Sequence, residues 1–94
     1  MDEAIIHDEE DLRFYVIIDG DEAELTYTYP ESGVMDFDHT FVPDGERGNG
    51  FGDKLVQQGL DYARSRQYQI IPSCPFVAGY IKRNAHYEDL VQSE

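Results

Sequence analysis

Glycine is concentrated in one short segment, at positions 45, 48, 50 and 52. An alternating run of residues ends before this segment, and a helical repeat begins within it. Glycines let the main chain approach a ligand closely, and the first N–H groups of a helix have no partner inside the helix. Such a helix start is suited to phosphate, and Arg47 adds the only cation of the turn. The segment therefore predicts an anion-binding loop, with a simple tight connection as the alternative.

The single cysteine, Cys74, lies just before a second predicted helix. A helix start lowers the pKa of a thiol, so an acyl group could pass through Cys74 if a base stood near, and His39 is the candidate base. A buried cysteine that acts only as a small apolar residue is the alternative. The alternation of its strand groups His39 with Met35, Phe37 and Phe41, so a core histidine is a second interpretation of that residue.

The elements that must position these residues are predicted from periodicity. Residues 12–18, 23–29 and 34–42 alternate with period two, and residues 4–7 add a short leading strand. Asp19-Gly20 predicts a hairpin between the first two of these runs, and the turn signals at 30–33 and 43–45 follow later. Residues 4–42 are thus predicted to form an antiparallel meander.

The second half of the chain follows a helical period. A helix is expected over residues 50–66, followed by a short strand at 68–71 that Pro72 ends. Ser73 is the expected N-cap of the next helix and Pro75 suits its first turn, and residues 85–91 predict a last short helix. The fold class is therefore α+β, and we expect one domain over residues 1–94.

The charge of the chain is strongly negative and uneven. The 94 residues carry 20 acids and 7 Lys or Arg, a net charge of −13, and 15 of the acids lie in residues 1–46 beside one base, Arg13. This distribution argues against a nucleic-acid partner bound through phosphates, and an acidic decoy of nucleic acid is a separate hypothesis for it. It is otherwise explained by solubility, by a salty habitat or by a cationic substrate.

Other classes of protein are excluded on composition. One cysteine rules out an internal disulfide framework and a thiolate zinc cluster, and His7 and His86 have no spacing that suggests a metal, so no metal site is expected. No apolar run approaches the roughly 20 residues that span a bilayer, and the first residues are acidic. We expect a cytoplasmic protein without a membrane partner; the oligomeric state is left open.

Three motifs together resemble the GCN5-related N-acetyltransferases, and most closely their minimal single-domain branch. Residues 47–52, Arg-Gly-Asn-Gly-Phe-Gly, are similar to the family's pyrophosphate motif between the fourth strand and the long helix. Residues 39–43, His-Thr-Phe-Val-Pro, and residues 72–77, Pro-Ser-Cys-Pro-Phe-Val, with Tyr-Ile-Lys-Arg at 80–83, match the branch's other two motifs. The resemblance extends over roughly residues 5–91.

The resemblance implies that acetyl-coenzyme A binds where the fourth and fifth strands separate. The pantetheine arm would pair with the backbone of Phe41 and Val42. The diphosphate would rest on the loop and the start of the helix, formed by Arg47, Gly48, Asn49, Gly50, Phe51, Gly52 and Asp53. The local N–H groups, the helix dipole and Arg47 would have to outweigh the repulsion between this anion and a protein of charge −13.

The resemblance also supplies two further candidates. Tyr80 lies seven residues after Ser73, the spacing at which the larger family places a tyrosine that protonates the departing coenzyme thiolate. Core packing is the alternative for Tyr80, since it belongs to an apolar stripe. Arg83 could meet the nucleotide phosphates or simply complement the helix dipole.

Two functions remain open from the sequence. The first is a small acyltransferase that uses acetyl-coenzyme A and an amine acceptor, with Cys74, His39 and Tyr80 as catalytic candidates. The second is a non-catalytic acyl-coenzyme A binding or interaction module. The chain lacks the two helices that the family usually places between its first two strands, and those helices normally wall the acceptor site.

Overall fold

Four antiparallel strands form the first half of the computed structural model, which describes residues 4–46, 48 and 50–92. They are β1 (Ile6–Asp8), β2 (Arg13–Ile18), β3 (Asp21–Glu31) and β4 (Val34–Phe41). Neighbours in the chain are also neighbours in the sheet, so the predicted meander is confirmed. The leading strand is shifted to 6–8 from the expected 4–7. The Asp19-Gly20 turn has φ values of 51° and 88°, as a tight hairpin turn requires.

The second half adds two helices and one strand. Helix α1 spans Phe51–Ser65, strand β5 spans Gln69–Ile71 and helix α2 spans Pro75–Arg83. Residues Ala85–Leu90 form a 3₁₀ helix where a last short helix was expected. The N-cap of α2 is Cys74 rather than Ser73, because Pro75 already occupies the first helical position.

The core lies between one face of the sheet and the helices α1 and α2, and α1 packs directly against that face. Gly59 permits close packing there: a Cβ atom on it would lie 2.9 Å from Phe37 Cε1 and 3.1 Å from Leu25 Cδ2. Phe37 and Leu25 have no exposed surface, and the helix backbone rests directly on their side chains. This contact sets the distance between α1 and the sheet and so positions both ends of the helix.

Strand β5 joins the sheet by parallel pairing with the start of β4, from Val34↔Gln69 to Asp36↔Ile71. The contact ends soon afterwards, where the Cys74 N–H donates to the Phe37 carbonyl at 2.9 Å. Strand β4 continues to Phe41, while the chain after β5 turns into α2. The two segments therefore part at the C-terminal end of β4, where the sequence predicts the coenzyme site.

Candidate functional site

A cleft of about 500 Å³ opens at the C-terminal end of β4. Its walls come from the last residues of β4, the glycine loop, the first turn of α1 and the start of α2. The lining residues are Thr40, Val42, Gly48, Gly50, Phe51, Gly52, Asp53 and Phe76. Most of the residues predicted to hold the coenzyme therefore line one cavity.

The glycine loop is shaped by backbone conformation rather than by crowding. Gly48 and Gly50 have φ values of +90° and +80°, and a Cβ atom on either would meet no atom within 4 Å. Gly50 is the N-cap of α1, and its carbonyl accepts the Lys54 N–H at 3.0 Å. The N–H groups of the first helical turn have no carbonyl partner within the helix, as an anion site requires. Arg47 and Asn49, which were predicted to share this site, lie outside the described residues.

Gly52 serves a different purpose, because space at this position is tight. A Cβ atom on it would lie 2.7 Å from Phe76 Cζ and 3.5 Å from Val42 Cγ2. The Phe76 ring therefore rests against the bare backbone of α1 and closes one side of the cleft. With 40% of its surface exposed, this ring is also one of the exposed large apolar side chains of the described chain.

Two predicted coenzyme residues, Asp53 in the first turn of α1 and Arg83 in the last turn of α2, form an ion pair. Their closest atoms, Arg83 Nη2 and Asp53 Oδ1, are 3.3 Å apart, and both side chains are largely exposed. Asp53 lines the cleft in the first turn of α1, where a carboxylate interacts favourably with the helix dipole. Arg83 offsets a charge that would otherwise repel a phosphate. The contact with phosphate predicted for Arg83 stays a prediction.

Cys74 is buried beside β4, with 7% of its surface exposed. Its Sγ atom lies 3.4 Å from the Thr40 hydroxyl oxygen. Burial raises the pKa of the thiol. The hydrogen bond with Thr40 and the backbone N–H groups of Val77 and Phe76 lower it, and together they outweigh burial, so the pKa lies below its ordinary value. The lowered pKa agrees with the expectation for a cysteine at a helix start.

His39 does not lie where its strand pattern predicts. The pairing runs Thr26↔His39 and then Tyr27↔Phe37, so β4 has one extra residue, Asp38, opposite a single step of β3. Such a β-bulge reverses the alternation beyond it. His39 is therefore on the outer, exposed face. The expectation that it shares the inner face with Met35 and Phe37 is wrong, as is the interpretation as a core histidine.

The bulge also decides which side chain accompanies the thiol. Thr40, whose Cα pairs with that of Leu25, lies on the inner face and contacts Cys74. Among the described residues, no contact joins His39 to Cys74. A role for His39 as the base is thus a prediction without a supporting contact.

Phe41 is moved by the same bulge. It pairs with Glu24, lies on the outer face and is 46% exposed, in contrast to its expected place beside Met35 and Phe37. Val42 is half-buried and lines the cleft. The predicted pairing of these two residues with pantetheine depends on their backbone, so it survives the change of side-chain face as a prediction.

Tyr80 is consistent with both interpretations of this residue. It is 7% exposed, and its ring lies 6.0 Å from that of Tyr87, which is core packing. Burial raises its pKa, and the carboxylates of Asp53 and Asp61 raise it further. The phenol is therefore protonated at neutral pH, as a proton donor must be.

Sequence reasoning missed two residues of the cleft, Thr40 and Phe76. Simple alternation assigns Thr40 to the outer face, and only the bulge at Asp38 places it on the inner face. Phe76 was named only within the motif at residues 72–77, and its contact with Gly52 depends on how α2 packs against α1. A polar residue five positions before Gly45, considered together with Cys74, was the available signal for Thr40.

Residues 4–46, 48 and 50–92 contain neither a metal-binding cluster nor a helix that could span a membrane. No group of three or more His, Cys, Asp or Glu side chains in these ranges is arranged to hold a metal ion. In the same ranges, no helix has the length and apolar character needed to cross a membrane.

The order of strands and helices, with a glycine-lined cleft where β4 and β5 part, defines the class of protein. The chain belongs to the GCN5-related N-acetyltransferase family, whose model matches residues 13–90. Its α+β fold is the one expected from the sequence.

Particular relatives can also be given. Protein NATD1 from mouse and protein NATD1 from human are each 32% identical to this chain over 80 residues. The match covers 83% of this chain, 73% of the mouse protein and 71% of the human protein. The solution structure of a GCN5-like candidate N-acetyltransferase from Staphylococcus aureus superimposes with a TM-score of 0.73 at 28% identity, over 97% of this chain and 89% of that one.

Proposed function

We propose that this protein is a small acyltransferase that uses acetyl-coenzyme A and acts on an acceptor carrying an amine. The observation that carries the proposal is the juxtaposition of a glycine-lined cleft with a buried thiol of lowered pKa. Thr40 connects the two, because it lines the cleft and its hydroxyl lies 3.4 Å from Cys74 Sγ.

The residues of the cleft fit the coenzyme. The N–H groups at the start of α1 and the left-handed glycines at 48 and 50 form a cradle without side chains, which suits a diphosphate. The backbone of Phe41 and Val42 would hold the pantetheine arm. The net charge of −13 opposes an anionic ligand at long range, so we expect moderate salt to aid binding by screening.

The coenzyme supplies an activated acetyl thioester. In the route that the site supports best, the Cys74 thiolate attacks the acetyl carbonyl carbon, the bond from that carbon to the coenzyme sulfur breaks, and Tyr80 is the candidate donor of a proton to the leaving sulfur. The acceptor amine then attacks the acetyl-cysteine, an amide bond forms and the Cys74 thiolate leaves. The proton that the amine loses replaces the one that Tyr80 gave.

A non-catalytic acyl-coenzyme A binding module is the second candidate. The outer face of the sheet favours it, because that face has no described helix over it and exposes Ile17 to 52% and Phe41 to 46%. The helices that usually wall the acceptor site are thus missing from the described chain. Such a module would bind the coenzyme through the same loop but would transfer nothing.

Thermal unfolding with and without acetyl-coenzyme A tests both candidates. A ligand at 100 times its dissociation constant adds about 2.7 kcal/mol to the free energy of unfolding. Acetyl-pantetheine, which lacks the diphosphate, is the matched control and should stabilise the protein much less. If millimolar acetyl-coenzyme A produces no shift, both candidates are wrong.

Mass spectrometry separates the two candidates. After incubation with acetyl-coenzyme A, we expect the mass of one acetyl group on Cys74 and its disappearance when a polyamine or a lysine peptide is added. Cys74→Ala should lower the transfer rate by a factor on the order of 10³ while leaving the thermal shift intact. Full activity of Cys74→Ala would show direct attack by the amine, and absence of transfer with every acceptor would favour the binding module.

A further inference from the structure

A second pocket, of about 410 Å³, lies at the opposite end of the sheet from the cleft. Three tyrosine rings line it: Tyr29 from β3, Tyr62 from α1, and Tyr68, which precedes β5. The ring centroids of Tyr29 and Tyr68 are 6.0 Å apart with an interplanar angle of 80°, and those of Tyr62 and Tyr68 are 6.3 Å apart at 71°. Tyr68 is thus nearly perpendicular to both other rings, so the pocket presents aromatic surfaces in more than one direction.

The charged groups of the pocket are Glu9, Glu31 and Arg66. The Tyr62 hydroxyl donates to Glu9 at 3.4 Å. Burial raises the pKa of Tyr62, and the neighbouring Tyr29 and Glu9 raise it further, although Arg66 lowers it. The two carboxylates outnumber the guanidinium, so the walls carry a net negative charge.

One contact shows that this aromatic surface already accepts a cation. The Arg66 guanidinium carbon lies 5.3 Å from the centroid of the Tyr62 ring. Cations are attracted to the faces of aromatic rings, and boxes of several rings are used to recognise quaternary and methylated ammonium groups.

We propose that this tyrosine pocket is a second ligand site, specific for a small organic cation with an alkylated ammonium head group. The rings would contact the alkyl groups, and Glu9 and Glu31 would balance the charge. Tyr62 is eleven residues beyond Phe51 along α1, which corresponds to roughly 16 Å. The site is therefore separate from the cleft, and its occupation does not require acetyl-coenzyme A.

Choline is a suitable probe, and its neutral analogue with a carbon in place of the quaternary nitrogen is the matched control. We expect choline to shift the ring signals of Tyr29, Tyr62 and Tyr68 in NMR spectra in a saturable way, with a dissociation constant in the millimolar range. The analogue and an equal concentration of sodium chloride should not do so. If choline fails to saturate these shifts, or if the analogue matches it, the proposal is wrong.

Variants at the third ring separate cation binding from a structural effect. Tyr68→Leu removes one aromatic face and should weaken choline binding about threefold to fivefold, whereas Tyr68→Phe keeps the face and should bind as the parent does. Tyr15→Leu, the same change on the outer face of the sheet, is the control. Equal affinity of the Leu and Phe variants at position 68 would contradict the proposal.

The charges of the pocket give a test in both directions. Arg66→Gln removes a like charge and should strengthen choline binding about threefold, while Glu31→Gln should weaken it by a similar factor. A merely structural role of these exposed side chains would not produce opposite effects. Unchanged affinity in both variants would overturn the assignment of a cation site.

Discussion

The cavities at the two ends of α1 are lined by different chemical groups. At its N-terminus the lining of the cleft includes three glycines, at 48, 50 and 52, and an aromatic ring, that of Phe76, rests on the last of them. At its C-terminus the pocket is lined by tyrosine side chains and carboxylates. The same helix thus has N–H groups without a helical partner at one end, where we propose that an anion binds, and aromatic faces at the other, where we propose that a cation binds.

The difference bears on the proposed binding of an anionic coenzyme by an acidic protein. Side chains of the described N-terminal half bring mostly negative charge, so a diphosphate is better held by backbone N–H groups, whose partial charges are fixed by the fold. The tyrosine pocket has the opposite relation to the charge of −13, because long-range attraction assists a cation there. Substitutions at each end should therefore have effects of different kinds.

The largest effect is expected at the glycine loop. Gly50→Ala places a Cβ atom on a residue with φ of +80°, which costs about 1–2 kcal/mol of stability and should weaken acetyl-coenzyme A binding. Gly79→Ala is the matched control, since Gly79 lies inside α2 with open space at its Cβ position and should gain up to about 1 kcal/mol. Chemical denaturation of both variants measures the difference, and equal stabilities would contradict a left-handed conformation at Gly50.

A smaller effect is expected at the thiol. Thr40→Val removes the hydroxyl that lowers the pKa of Cys74, so the pH midpoint of thiol alkylation should rise. Thr28→Val, on the same sheet but away from the cleft, is the control. The rate of reaction with iodoacetamide as a function of pH measures the midpoint. The same midpoint in both variants would show that the Thr40 hydroxyl does not lower the pKa of Cys74.

The smallest effect is expected near the C-terminal end of α1, where the His7 ring contacts the rings of Phe14 and Tyr62. Its ring stacks on Phe14 at 4.0 Å, and its Nε2 atom lies 2.6 Å from the Tyr27 hydroxyl. Burial lowers the pKa of His7 below its usual 6.5, although Glu9 partly offsets this. The folded protein therefore takes up this proton less readily than the unfolded chain, and the stability that the neutral ring contributes is complete above pH 6.5 and is lost as the pH falls through the lowered pKa.

His7→Asn removes this contribution, so the variant should lose less stability than the parent on acidification through that window. The difference between the two curves of unfolding free energy against pH isolates His7 from the many carboxylates that titrate nearby. Parallel curves would show that His7 is not the titrating group. Acetyl-coenzyme A binding should be unchanged in this variant, which tests the independence of the two ends.

Much of this architecture was predictable because it depends on local patterns. Period two in residues 12–29 and period 3.6 after Gly52 each report which face of an element is buried, and the structure confirms both. The glycine loop was recognisable because its conformation is a property of glycine itself. The tyrosine pocket was not predicted, since its three rings come from elements that only the fold brings together.

What the sequence alone determined is therefore the order and type of the elements, the cradle at the start of α1 and the family. What only the tertiary structure decided is which side chains meet. One extra residue in β4, Asp38, turns His39 outward and brings Thr40 to Cys74. The physical reason is that alternation along a strand depends on its register with the neighbouring strand, and a bulge changes that register without any mark in the periodic pattern.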